Sequence, residues 1–461
     1  MNVLFVYTNI NGYHKDCYSF GLATLVSVLK KAGHNVRVAI VQSIKDYPGL
    51  FSTISEFKPG VIGFTAVSSQ FTYIKELGAE VKKRFKKIIV VCGGVHPTIS
   101  PECVLESEYL DGIFIGESEN SFIEFLENIE NKKDFKATDN FAYAENGKLI
   151  KNKLKPLIKD LDSLPYPDKE IYPYKKVLKE NYYAPFLFLR GCPYTCNYCS
   201  NHALAKMYSM PVLSPRYRSP ESSVSEIEET IRKFRWIFII RIVDEVFGIN
   251  QAWRDEFCAK YKKRVKIKFH CFSRPNLIND DLIKVLKESG CYSISMGIES
   301  GNAHIRNSVL GRQISDEQII RAFDLAHKYG LKTSAINMIG MPGETEEMIL
   351  DTVKINRKVK PNASGVNVFY PYRGTRLGDY CFEKNLIDKN VYARFSNERR
   401  ESPLTFSAEY KDKIIYYKRN WKFLVYPDNP ILRMERLIKG SFLWKVLRTL
   451  KRALRNKAAQ L

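Results

Sequence analysis

The chain has 461 residues, 45% hydrophobic and 26% charged, the balance of a folded protein and not of a disordered one. That length asks for two or three domains, because single cores rarely grow past about 250 residues. Lys and Arg number 72 against 50 Asp and Glu, a net charge of +22 that favours an anionic partner: nucleic acid, a phosphorylated small molecule or an acidic membrane surface. The excess is uneven, since from Arg433 onward nine Lys or Arg face one acid, Glu435. The N-terminal apolar run ends at Thr8, too short for a signal peptide, and no later stretch reaches the roughly 20 apolar residues of a membrane span. A cytoplasmic location is therefore expected, with the ten cysteines as thiols or metal ligands and not as disulfides.

Short β-branched runs alternate with amphipathic stretches from the first residue. Val3–Tyr7 reads as a strand, Phe20–Ala32 as a helix and Val36–Val41 as a strand, with further strands at Val61–Thr65, Ile88–Cys92 and Gly112–Ile115. Phe71–Phe85 carries the helical period Ile74, Leu77, Val81, Phe85. This alternation predicts an α/β fold, a doubly wound parallel sheet over residues 1–130, whose ligands sit beyond the carboxyl ends of its strands. The loops there are Asn9–Tyr13, Ala66–Gln70 and Gly93–Thr98. Residues 131–183 read as a linker with a hairpin turning at Asn146-Gly147. A second βα series over 184–385 has strands at Ala184–Arg190, Trp236–Val243, Val265–Phe272, Tyr292–Ile298, Lys332–Met338 and Gly365–Tyr370, a partial (β/α)6 barrel with its chemistry at the strand ends. Residues 386–461 read as a helical, basic C-terminal region.

Just after the first strand of that second series, Arg190-Gly-Cys-Pro-Tyr-Thr-Cys-Asn-Tyr-Cys-Ser200 sets Cys192, Cys196 and Cys199 in a Cys-x3-Cys-x2-Cys spacing. Three thiolates on one loop can hold three irons of a [4Fe-4S] cluster and leave the fourth open to a substrate that chelates it. Zinc is the competing reading, because His202 completes a Cys3His set. The other seven cysteines are scattered and read as small core hydrophobes.

The loop, with Tyr198 before its last Cys, resembles the radical S-adenosylmethionine (SAM) superfamily. Together with Tyr217-Arg-Ser-Pro-Glu221, Val243-Asp-Glu-Val-Phe247, Gly297-Ile-Glu-Ser-Gly301 and Gly340-Met-Pro-Gly-Glu-Thr345 it resembles the cobalamin-binding branch, over residues 1–385. The resemblance implies that Cys192, Cys196 and Cys199 ligate the cluster, that Tyr198 borders the adenine, and that Glu299 and Arg312 meet the ribose, methionyl end or carboxylate of S-adenosylmethionine, with Arg306 a second cation for that carboxylate. A guanidinium matches a carboxylate in bidentate geometry. Asp244 and Glu245, ending the second strand, are placed to meet the methionyl amine or the substrate.

In the first domain, Val91-Cys-Gly-Gly-Val-His-Pro-Thr98 resembles the paired-glycine loop that admits cobalamin's nucleotide tail. The resemblance thus implies cofactor contacts from Gly93, Gly94 and His96, from Thr65, and from Gly116 and Glu117 of the acidic turn. The Asp-x-His-x-x-Gly motif of mutase-like cobalamin proteins is missing, for His14 is followed by Lys-Asp-Cys, so no histidine ligand to cobalt is expected. The function implied is reductive cleavage of S-adenosylmethionine to a 5′-deoxyadenosyl radical and, with cobalamin, modification of an unactivated centre, methyl transfer being favoured over cyclisation or rearrangement. The partners implied are a small-molecule or lipid-like substrate and a protein reductant such as a flavodoxin or ferredoxin.

Two alternatives stay open. A methylthiotransferase-like enzyme needs three more cluster thiols, for which Cys17, Cys92 and Cys103 exist but are poorly placed. A zinc-stabilised nucleic-acid-binding protein suits the charge. In the tail, Leu443, Val446, Leu447, Leu450 and Leu454 recur at helical spacing opposite Lys445, Arg448, Lys451, Arg452 and Arg455, a basic amphipathic helix suited either to an acidic membrane surface or to the enzyme's own core.

Overall fold

The computed structural model describes residues 1–438 apart from 11, 13–17, 173, 182, 235–236 and 395–397. The chain divides into two compact units. The first comprises Met1–Val177, Pro193–Arg216 and Tyr370–Glu398; the second comprises Leu178–Cys192, Tyr217–Phe369 and the described residues from Arg399 onward.

The first unit is built on strands β1 (Asn2–Thr8), β2 (Asn35–Val41), β3 (Val61–Thr65), β4 (Ile89–Gly93), β5 (Gly112–Phe114), β6 (Phe141–Glu145) and β7 (Lys148–Lys151). They form one sheet in the order β2-β1-β3-β4-β5-β6-β7. β1 to β5 are parallel, and β6 and β7 are added antiparallel at the edge. Val3, Leu4, Phe5 and Val6 are all buried, as a parallel strand covered on both faces requires. Helices Tyr47–Phe57 and Phe71–Arg84 supply Leu50, Ile54, Ile74 and Val81 to one face. Phe20–Lys31 and Glu119–Glu130 supply Leu22, Val26, Phe122 and Phe125 to the other. The strand order reverses between β1 and β3, so the ligand crevice of such a sheet lies at their carboxyl ends.

Residues 131–183 are therefore not simply a linker. The hairpin about Asn146 (φ 51°) and Gly147 (φ 71°) completes the first sheet, because Phe141 and Ala142 have an apolar face to bury against β5.

The second unit contains β8 (Ala184–Phe186), β9 (Leu189–Cys192), β11 (Ile239–Ile242), β12 (Lys268–Ser273), β13 (Cys291–Glu299), β14 (Lys332–Ile339) and β15 (Ala363–Val368); the strand β10 (Leu213–Tyr217) precedes β11 in the chain. Six of these form an open parallel sheet, β15-β14-β13-β12-β11-β8. The expected strand Ala184–Arg190 is split, with β8 in this sheet and β9 carrying the chain to Cys192. Ile240, Ile242, Phe269 and Cys271 are buried on the helix-facing side, where Phe269 meets Tyr261 of the helix Gln251–Arg264 edge-on at 4.9 Å.

Beyond the sheet, helix Ala408–Val425 seats Ile414, Tyr417, Trp421 and Val425 against Ile339, Val366 and Val368. Part of the C-terminal region thus belongs to the second unit's core. The expected amphipathic helix from Leu443 to Arg455, and His14 and Cys17, lie outside the described residues. Among those described, no helix is long and apolar enough to cross a membrane.

Candidate active site

The cysteine loop begins where β9 ends. Cys192 and Cys196 are buried and Cys199 is half-buried. The Cys199 amide donates to the Cys196 carbonyl (3.1 Å), and Cys199 is the N-cap of helix Ser200–Met207. Among the described residues no three His, Cys, Asp or Glu side chains are already drawn together as a ligand set. Metal–thiolate bonds themselves provide the energy that gathers such ligands. The chemistry of the donor set, three thiols on one loop, fits an iron–sulfur cluster. His202 takes another partner, its Nε2 standing 2.9 Å from Arg376 Nη2, and burial followed by the charges of Arg376 and Lys206 holds the imidazole below its usual titration range. Tyr198 is half-buried in the turn before Cys199.

Within the second unit, Asp244 lies just past β11 and is buried, its Oδ1 accepting from the amides of Phe188 (2.7 Å) and Leu189 (3.1 Å). Burial raises its carboxyl to about 7 despite those two bonds. Asp244 therefore anchors the start of the strand that leads to Cys192. Glu245 beside it is exposed.

Glu299 ends β13 with φ at +64°, and the register to β14 shifts between Gly297 and Glu299. A non-glycine residue held in the left-handed region at a bulge is strained backbone of the kind that re-aims side chains at functional sites. Its Oε1 accepts from Arg312 Nη1 (3.2 Å), and Arg312 Nη2 donates to the Gly297 carbonyl (2.7 Å). A Cβ on Gly297 would stand 2.5 Å from Glu299 Oε1, so the glycine makes room for the pair. Arg274, which sequence reasoning missed, fixes the next carbonyl in the chain of contacts by donating Nη2 to Arg312 O (2.7 Å).

Arg306 is used differently. It is 1% exposed, and its guanidinium donates to the carbonyls of Ile314 (2.7 Å), Ser300 (2.9 Å) and Gly301 (3.2 Å) and to Asp316 Oδ1 (2.6 Å). The structure makes it a staple for the loop after β13, with its own carbonyl accepting the Arg312 amide (3.1 Å), so the two arginines that the sequence grouped are used differently.

In the first unit, Thr65, Gly93, Gly94, Thr98 and Gly116 gather at the carboxyl ends of β3, β4 and β5. Gly94 has φ +106°, and a Cβ there would fall 2.7 Å from the Ala66 carbonyl and 3.1 Å from Thr65 Oγ1. The close approach that demands glycine is thus to the protein's own β3 loop. Gly93 has no such demand: its Cβ would meet Phe114 Cβ at an ordinary 3.8 Å. Thr98 Oγ1 donates to the Gly94 carbonyl (2.7 Å) and accepts from the Gly116 amide (3.1 Å), tying two strand-end loops together. His96 is buried, with Nδ1 at 3.0 Å from Ser68 Oγ and its ring 4.6 Å from Phe71; burial lowers it to about 4, so it is neutral. Glu117 accepts both Nη groups of Arg216 (2.9 Å each) and the Ile158 amide (2.9 Å).

At the switch point itself, Gln70 brackets Ile10 through its amide (2.9 Å) and carbonyl (3.0 Å), and the buried Thr8 hydroxyl has no partner among the described residues. An orphaned hydroxyl there fits a polar ligand in the crevice. Cys92 and Cys103 are buried in the apolar core of this unit, and burial pushes both thiols up. Neutral core thiols do not suit the extra ligands a methylthiotransferase-like reading needs.

Comparison with known proteins agrees with this geometry. The model of the radical SAM superfamily matches residues 186–355, and that of the B12 binding domain matches residues 9–126. An uncharacterized methyltransferase of Pyrococcus horikoshii is 28% identical over 80% of this chain and 79% of its own. The anaerobic magnesium-protoporphyrin IX monomethyl ester cyclase of Rubrivivax gelatinosus is 26% identical over 81% and 68%. Among solved structures, the radical S-adenosylmethionine methyltransferase TsrM of Kitasatospora setae superposes with a TM-score of 0.68 at 16% identity, over 83% of this chain and 76% of that one.

Proposed function

Because this chain belongs to the radical SAM superfamily and joins that domain to a B12 binding domain, we propose that it is a cobalamin-dependent radical enzyme that methylates an unactivated centre of a small molecule. The observation that carries the reading is the Cys-x3-Cys-x2-Cys loop, which follows in the chain directly on β8, the first strand of a six-stranded parallel sheet, and β9. Bound there, a cluster supplies the electron that cleaves S-adenosylmethionine, and cobalamin supplies the methyl carrier.

The chain's own residues then have distinct tasks. Cys192, Cys196 and Cys199 hold iron, and Asp244 keeps the backbone before them in place. Arg312, oriented by Glu299 and Gly297, presents a guanidinium to the S-adenosylmethionine carboxylate, while Tyr198 borders its adenine. Arg306 acts by holding the loop that carries Arg312. Glu245 offers an exposed carboxylate to the methionyl amine or the substrate. In the first unit the loops of Thr65, Gly93, Gly94 and Gly116 form the bed for cobalamin, braced by His96 and Glu117. Cyclisation is the second reading, favoured by the similarity to the cyclase. We also retain cytoplasmic location, a flavodoxin or ferredoxin as reductant, and peripheral membrane contact through the basic segment after Arg433.

Two experiments test this. The full chain, reconstituted anaerobically with iron, sulfide and hydroxocobalamin and given S-adenosylmethionine, reductant and a small-molecule extract, should retain cobalamin and yield products heavier by one methyl group. Failure to retain cobalamin refutes the cobalamin part, and products that have lost hydrogen without gaining a methyl group favour cyclisation. Cosedimentation with anionic liposomes should be lost on truncation before Ile431; equal pelleting refutes the membrane contact.

A further inference from the structure

The inner face of the second unit's sheet carries a cation that has no ion pair among the described residues. Strand register sets its neighbours: Arg241 stands opposite His270, His270 opposite Ser293, Phe272 opposite Ser295, and Ser295 opposite Ser334. These alternate with Ile240, Phe269 and Cys271, which are buried on the helix side. The Arg241 guanidinium lies over the rings of Tyr183 (4.7 Å) and Phe272 (5.1 Å). Among the described residues it has no ion pair and no side-chain hydrogen bond, and its Nε is buried without a partner. Cation–π contacts hold the plane of the guanidinium and leave its donor edge unused.

A row of hydrogen bonds runs beside it. His270 Nδ1 is 2.8 Å from Ser293 Oγ, and Nε2 is 3.3 Å from Ser295 Oγ. Burial first, and then the charge of Arg241, lower the imidazole to about 3, so His270 is a neutral, orientable group. Across all six strands of the sheet the one carboxylate is Glu299, at the far end of β13, and Arg312 holds it. A half-buried guanidinium without a counter-charge is costly, and an oxyanion is the ligand whose geometry its fork matches.

We propose that Arg241, with the Ser293–His270–Ser295 row, binds an oxyanion group of the substrate, a carboxylate, phosphate or phosphonate, on the inner face of this sheet. The proposal rests on the reading of this unit as the catalytic domain, and it specifies the substrate as an anion. The rival source of an oxyanion is the carboxylate of S-adenosylmethionine.

The test uses the full-length protein and inorganic phosphate, titrated by 31P NMR at constant ionic strength. One saturable site is expected, weakened about tenfold or more in Arg241→Gln and severalfold in Arg241→Lys, which keeps the charge and loses the fork. Binding unchanged in both variants means that phosphate sits elsewhere on the basic surface, and overturns the proposal. If Arg241→Gln does not fold, Arg241→Lys alone decides. S-adenosylmethionine should leave phosphate binding unaltered; competition between them assigns Arg241 to the cofactor and overturns the substrate site. Cluster assembly and cleavage of S-adenosylmethionine, measured separately, keep failure of this site distinct from failure of the proposed function.

Discussion

Two acid–arginine pairs stand just beyond strand ends, one in each unit, and they are built in opposite ways. Glu117 and Arg216 meet in a bidentate fork, and the same groups also take the Ile158 amide and carbonyl. The backbone there is ordinary for a turn opened by Gly116 (φ +76°). Glu299 and Arg312 meet at a longer 3.2 Å, on a strand that bulges and on a residue forced to positive φ. The first pair bonds loops to each other. The second is held in a strained setting that loop closure alone does not need, in keeping with the proposal that these side chains meet a ligand.

The comparison can be broken by mutation, and the largest effect is expected at the loop both readings depend on. Alanine at any one of Cys192, Cys196 or Cys199 should abolish the iron–sulfur absorbance near roughly 400 nm, because a three-ligand site cannot spare one. Arg216→Met should lower stability by about 3 kcal/mol, since it strands a largely buried carboxylate, and should leave affinity for S-adenosylmethionine unchanged in protein that remains folded; denaturant melts and calorimetric titration separate the two. Arg312→Ala should do the reverse, weakening S-adenosylmethionine by about 1–3 kcal/mol with a smaller change in the melt. Equal behaviour of the two variants would erase the distinction.

A finer contrast lies between adjacent glycines. Gly94→Ala forces a Cβ onto Ala66 at positive φ and should cost about 1–3 kcal/mol with no ligand present, whereas Gly93→Ala should be tolerated in the same melt. The last effect concerns pH. Glu344, after β14, accepts from the amides of Gly340 (2.5 Å) and Met341 (3.3 Å), yet burial raises its carboxyl to about 8. An acid with a raised folded pKa binds its proton more tightly in the native state, so stability should fall as pH rises from about 4.5 to about 8. Glu344→Gln should flatten that slope, and a slope unchanged in the variant would remove Glu344 as its source.

Much of this was legible in the sequence, because strand periodicity and the cysteine spacing are local signals. Val61–Thr65 matched to the residue, and the second unit's strands matched within a few residues. What was not legible depended on contacts distant in sequence. The hairpin at Asn146-Gly147 was visible as a hairpin, but its place beside β5 was set by the apolar faces of Phe141 and Ala142. The spacing Ile414, Tyr417, Trp421, Val425 was an available helical signal for the C-terminal helix, and its partner on β15 was not. Arg306 and Arg312 look alike in sequence; only the carbonyls around Arg306 identify it as the staple. The bulge at Glu299 runs against local preference, so no propensity could have found it. Arg241 carried no motif, and its interest comes from the strands around it, whose one carboxylate, Glu299, lies at the far end of β13 and is held by Arg312.

The central claim is that Cys192, Cys196 and Cys199 make a radical SAM centre. Its most direct test is the product of S-adenosylmethionine incubated with the anaerobically reconstituted, unmutated chain and a low-potential reductant. Formation of 5′-deoxyadenosine in proportion to bound iron is the predicted result; a protein that binds iron and sulfide in cluster stoichiometry yet leaves S-adenosylmethionine intact would contradict it.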